Sequence, residues 1–132
     1  MSGRPAHSPD AFMEKARRDL RSARVLLEDG DTNGSVNRAF YAIFHAATAA
    51  LAVRGEACST HRGLISRFSA LFIQAGIVPK ELGRAYNLAE KVRCESDYSG
   101  GQVSRHAAEE VLKDAETFVT VVTERLIPAP RS

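Results

Sequence analysis

Asn37-Arg38-Ala39-Phe40-Tyr41-Ala42-Ile43-Phe44-His45-Ala46-Ala47 is the stretch whose reading decides the fold. At about 100° per residue, Phe40, Ile43, Ala47 and Leu51 fall on one side of a helix. Arg38, Tyr41 and His45 fall on the other, and alanines at 39, 42, 46, 49, 50 and 52 fill the space between. A helix that is apolar or small nearly all round belongs at the centre of a bundle, because alanine lets neighbouring backbones close in. The polar trio is then buried or half-buried, and such groups need partners from elsewhere in the chain.

Working outward, the N-terminal side supplies one amphipathic helix. Ser8-Pro9 reads as an N-cap followed by proline at the first helical position, with Asp10 and Glu14 suited to the positive end of the dipole. Phe12, Ala16, Leu20, Ala23 and Leu27 form its apolar stripe, and Lys15, Arg17, Arg18, Arg21 and Arg24 a basic, solvated outer face. Asp29-Gly30-Asp31 ends it, and Thr32-Asn33-Gly34-Ser35 leads into the central helix, which runs to about Arg54-Gly55.

On the C-terminal side a third helix opens at Ser59 or Thr60 and carries Leu64, Ile65, Phe68, Leu71 and Phe72 to Ala75-Gly76. Pro79 suits the first turn of a fourth, where Leu82, Tyr86, Ala89 and Arg93 share one face, so Arg93 is expected to point inward. Ser96 to Gln102 reads as a mobile loop. Ser104 caps a fifth helix with the stripe Val111, Ala115, Phe118, Val122 and Leu126. No segment alternates with period two over a useful length. The fold class is therefore all-α, an antiparallel up-and-down bundle of four or five helices with mostly short connections.

Composition agrees with one such domain. The 132 residues suffice for a core without staples, and 44% hydrophobic with 26% charged residues is ordinary for a globular chain. A net charge of +2 permits contact with nucleic acid without arguing for it. Cys58 and Cys94 stand far apart and read as reduced thiols. The N-terminus lacks the apolar run of a signal peptide, and the window from Ala39 to Val53 reads as too short and too polar to span a bilayer. A cytoplasmic protein with no membrane contact is expected. Its domain covers residues 8–127, with disordered ends at 1–7 and 128–132.

Several sharp chemical signals are absent: His-Glu-x-x-His, a phosphate-cradling glycine loop after a strand, and Glu-x-x-His pairs for bridged metals. Cys58, His61 and Cys94 match no common zinc spacing, so neither metal nor cofactor is expected. Arg38, Tyr41, His45, His61, Arg93, Asp97 and Tyr98 remain as candidates. They form either a polar network that holds the helices in register or a site for an anion, with Asp97 neutralising Arg38 or Arg93.

Three blocks carry a resemblance: Arg38-x-x-Tyr41-Ala-x-Phe44-His45-Ala-Ala, Thr60-His61-Arg62-Gly63-Leu64, and Arg93-x-x-x-Asp97-Tyr98. Over about Phe12 to Leu126 the chain resembles the small HEPN-domain proteins. The resemblance implies an antiparallel bundle, usually a homodimer, partnered with a minimal nucleotidyltransferase as toxin and antitoxin. It also implies a role in binding nucleotide or RNA near Arg38, Tyr41, His45, His61, Arg93 and Asp97. Many HEPN proteins are metal-independent endoribonucleases whose motif is an arginine followed, four to six residues on, by a histidine. Carried over, the arginine is Arg93 and the histidine position is Tyr98, which makes Arg93 and Tyr98 the catalytic candidates of a degenerate site. Tyrosine ordinarily titrates near 10 and is a poor base at neutral pH, although it can donate a hydrogen bond or stack on a nucleobase. Tyr98 is also a candidate for nucleotidylation, which some members of the family undergo in this region.

Overall fold

The Ser8 hydroxyl accepts from the Ala11 N–H at 3.1 Å, and with Pro9 at the first position it starts α1, Pro9–Glu28. The computed structural model describes residues 8–128. The residues expected to be disordered, 1–7 and the last four of the tail, lie outside the described residues. The chain continues through α2 (Thr32–Val53), α3 (His61–Phe68) with a π-helical turn at Ser69–Ile73, α4 (Glu81–Ser99) and α5 (Arg105–Arg125). The described residues contain no strand, and the fold is all-α as the periodicity predicts.

α2 packs against all four other helices. Its alanines explain how: Ala39, Ala42, Ala46, Ala47, Ala49 and Ala50 are each fully buried, together with Phe40, Ile43 and Leu51. By length and composition this 22-residue helix is apolar enough to cross a membrane, which corrects the expectation drawn from the shorter window. Here it is the core helix, with more than half of its apolar window buried inside the bundle.

The other stripes pack onto it. Ala16, Leu20, Ala23 and Leu27 of α1 are buried as expected, and Met13 goes deeper than Phe12, which stays half-buried. Leu82, Tyr86 and Ala89 of α4 and Val111, Ala115, Phe118 and Val122 of α5 complete the core. Phe68, Phe72 and Phe118 close its far end, with ring centroids 5.1 and 5.2 Å apart.

The largest departure from the sequence reading is at the end of α4. Ser96, Asp97 and Tyr98 are helical rather than loop, and the helix stops only at Gly100, whose φ of +67° is a left-handed cap that glycine takes at little cost. The short connection that follows is pinned instead of mobile. Asn33, at the start of α2, donates to the Gly101 carbonyl at 3.1 Å and accepts from the Val103 N–H at 2.7 Å. Loop-forming composition here serves the helix cap and its return, and α4 gains an extra turn that carries Asp97 and Tyr98.

Candidate functional site

The outer strip of α2, comprising Asn37, Arg38, Tyr41, Phe44, His45 and Thr48, is half-buried. Its partners come first from α1. Asp19 is one of three buried polar residues among those described, and its side chain is only 9% exposed. Oδ1 accepts from Arg38 Nη1 at 3.2 Å, and Oδ2 lies 2.7 Å from His45 Nδ1. Arg38 also donates to Asn37 Oδ1 at 3.0 Å, and its guanidinium lies 5.1 Å from the Tyr41 ring centroid. One carboxylate thus fixes both an arginine and a histidine of α2.

The second half of the cluster comes from α3 and α4. The Thr60 hydroxyl caps α3 by accepting from the Gly63 N–H at 2.9 Å, which sets His61 at the first helical position. The His61 ring packs edge-on to Phe44 at 4.6 Å, with Phe40 at 5.5 Å and Tyr41 at 6.1 Å. Its backbone carbonyl accepts from the hydroxyl of buried Tyr86 at 3.2 Å, which ties α3 to α4. Burial pushes the Tyr86 phenol up to about 12, with Glu90 adding to the shift and Arg93 opposing it.

Arg93 lies about two turns beyond Tyr86 and points inward as expected. Its guanidinium lies 4.4 Å from the Phe40 centroid, the closest cation–ring approach among the described residues. Asp97, one turn on, reaches it at 3.6 Å, an ion pair longer than a hydrogen bond whose carboxylate end stands mostly in solvent. Arg93 Nε is buried with no hydrogen-bond partner.

The fold therefore gathers Arg38, Tyr41, His45, His61 and Arg93 around the rings of Phe40 and Phe44. Asp97 stands at the edge, and its pairing with Arg93 is one of the two that the sequence allowed. Tyr98 stands apart, 93% exposed. Asp19 is the residue that sequence reasoning missed. The signal was present: Asp19 stands three residues after Ala16 and four before Ala23, on the apolar side of a helix whose other face is basic. Cys58, His61 and Cys94 form no metal-ligating group, and the described residues hold no set of three or more His, Cys, Asp or Glu side chains of that kind.

The HEPN domain family matches residues 10–126, nearly all of the described chain. The chain belongs to the HEPN family. A Methanocaldococcus jannaschii protein that bears the name "Putative toxin" is 31% identical to it over 116 residues, 88% of this chain and 87% of that protein. A UPF0332 protein of Thermotoga maritima is 34% identical over 119 residues, 88% of each chain. Another, from Gloeobacter violaceus, is 31% identical over 117 residues, 87% of this chain and 93% of its own. In this HEPN chain the three sequence blocks lie on α2, at the start of α3 and at the end of α4, and the His61 ring and the Arg93 guanidinium both pack against Phe40.

Proposed function

We propose that this HEPN protein is the toxin-type subunit of a two-protein module. It pairs with a second copy of itself, docks a minimal nucleotidyltransferase in the cytoplasm, and holds RNA or a nucleotide on the face bearing Arg38 and Arg93. The observation that carries the reading is Arg93: a guanidinium stacked on Phe40 with an N–H that nothing in the described chain satisfies. A planar fork of this kind suits a phosphate, and Tyr41, Phe44 and His61 beside it offer rings on which an unstacked base rests. The half-buried strip along α2 supports the pairing, since apolar and aromatic groups left partly open on a central helix favour cover by another chain. The name carried by the archaeal relative supports the toxin-type role.

The test is RNA affinity measured on the wild type and on Arg93→Ala, with light scattering on both. Losing one charge-assisted contact is expected to weaken binding by about 10- to 100-fold while the dimer persists. Equal affinity for the two proteins sinks the phosphate role of Arg93, and a monomer at tens of micromolar sinks the pairing.

A further inference from the structure

The outer face of α1 carries more positive charge than the fold neutralises. Five cations stand from Lys15 to Arg24, and the one acid among them, Asp19, turns inward to Arg38 and His45. No other acid of α1 lies between Glu14 and Glu28. Two of the five cations are matched: Arg17 lies 3.6 Å from Glu14, and Arg24 lies 2.7 Å from Glu116 of α5. Lys15, Arg18 and Arg21 are exposed and make no ion pair or hydrogen bond among the described residues. The Lys15 ammonium rests 5.7 Å from the Phe12 ring.

Spaced three apart, these three follow one oblique row across the outside of the helix, each about 4.5 Å further along its axis. The row ends at Arg21, which with Arg17 and Arg24 rims a shallow hollow of about 270 Å³ floored by buried Leu20. The rest of the face decides what it fits. Val25 is the exposed large apolar side chain of α1, and the ring of Phe12 is half-buried against the core. A protein partner binds through an apolar or aromatic centre, and a single-stranded nucleic acid through rings on which its bases stack. Guanidiniums with neither beside them suit phosphates, and a duplex presents these most densely, with about one charge per 1.7 Å of its axis.

We propose that the outer face of α1 is a docking surface for a nucleic-acid duplex, held by its phosphate backbone with no base read. The surface is separate from the Arg38 and Arg93 face, so neither reading rests on the other. Lys15, Arg18 and Arg21 each meet a phosphate and release its counterions. Arg17 and Arg24, turned toward their own acids, frame the end of the row.

The probes are a DNA duplex and an RNA duplex of about two helical turns, each beside a duplex of unrelated sequence, titrated over a salt series. The wild type is expected to bind with a dissociation constant of about 10⁻⁶–10⁻⁴ M, and log affinity to fall with log salt with a slope of about −3. Unrelated sequences are expected to bind alike, and the tighter of the DNA and RNA duplexes names the source of the backbone. Arg18→Gln with Arg21→Gln removes two exposed, unpaired charges. Folding is expected to be unchanged, affinity to fall about tenfold or more, and the slope to shrink by about 2. Arg93→Ala is expected to leave duplex affinity within about twofold of the wild type, as a distant and independent site should. A double variant with wild-type affinity and slope overturns the proposal. So does a wild type that binds single strands alone, or duplex binding that Arg93→Ala abolishes. A wild type with no duplex affinity at low salt overturns it as well, and leaves the binding of RNA at Arg93 to its own test.

Discussion

Arg93 and Phe40 meet face to ring across α4 and α2, the guanidinium 4.4 Å from the centroid. The arginine is 18% exposed, whereas Asp97, the carboxylate it pairs with among the described residues, is 66% exposed. This asymmetry decides what Arg93 contributes. A solvated ion pair of this kind adds little, and the stem and ring contact adds more. The charge is held in place by a ring and not consumed by its acid.

Arg93→Ala is therefore expected to cost only about 1–2 kcal/mol, from the lost cation–ring contact and packing. No buried carboxylate is stranded, because Asp97 remains in water. Urea denaturation checks this, and a loss of about 3–5 kcal/mol, the size seen when a buried pair is broken, would show the arginine to be a structural member of the core.

The five helices were legible because each carries a long stripe at helical spacing, and burial follows those stripes almost residue by residue. The stop of α4 was not. Ser96-Asp97-Tyr98-Ser99-Gly100-Gly101 has turn composition, but a helix already anchored by Leu82, Tyr86 and Ala89 extends by one turn at little cost until a left-handed glycine ends it. The site was half legible. Arg38, His45 and Arg93 stood out as polar groups on inward or central positions. Asp19 did not, because one acid among five basic residues reads as surface until its place between Ala16 and Ala23 is counted.

The central helix offers a test of close packing. Ala46 is fully buried on a helix that every other helix touches. Ala46→Leu adds atoms where backbones approach, and about 1–3 kcal/mol of destabilisation is expected from overpacking. A thermal midpoint unchanged from the wild type would mean that the helix has free space on this side.

Asp19 joins α1 to α2 through two polar contacts, and removing it leaves both donors facing a buried gap. Asp19→Ala is expected to cost about 1–3 kcal/mol, the range for hydrogen bonds to charged groups. Arg38, 38% exposed, can turn to water, which keeps the loss below that of a fully buried pair. In a double-mutant cycle Asp19→Ala with Arg38→Ala should lose less than the sum of the two single changes, and strict additivity would show that the contact contributes nothing.

Tyr86 gives the fold an alkaline limit that can be read directly. Its phenol is buried against Phe40, donates to the His61 carbonyl at 3.2 Å, and is pushed up to about 12, chiefly by burial. In the unfolded chain a tyrosine titrates near 10. The neutral form is thus the one the fold prefers: its contribution is fully present below pH 10 and is lost as pH rises from about 10 to 12, because unfolding then releases a proton. Two units correspond to roughly 2–3 kcal/mol over that window. Tyr86→Phe has no proton to lose, so it should be less stable than the wild type near pH 8 by about 1 kcal/mol for the missing hydrogen bond, and the gap should close or reverse toward pH 12. Urea midpoints for both proteins at pH 8, 10 and 11.5 check this. Parallel curves across the series would show that ionisation of Tyr86 is not coupled to folding.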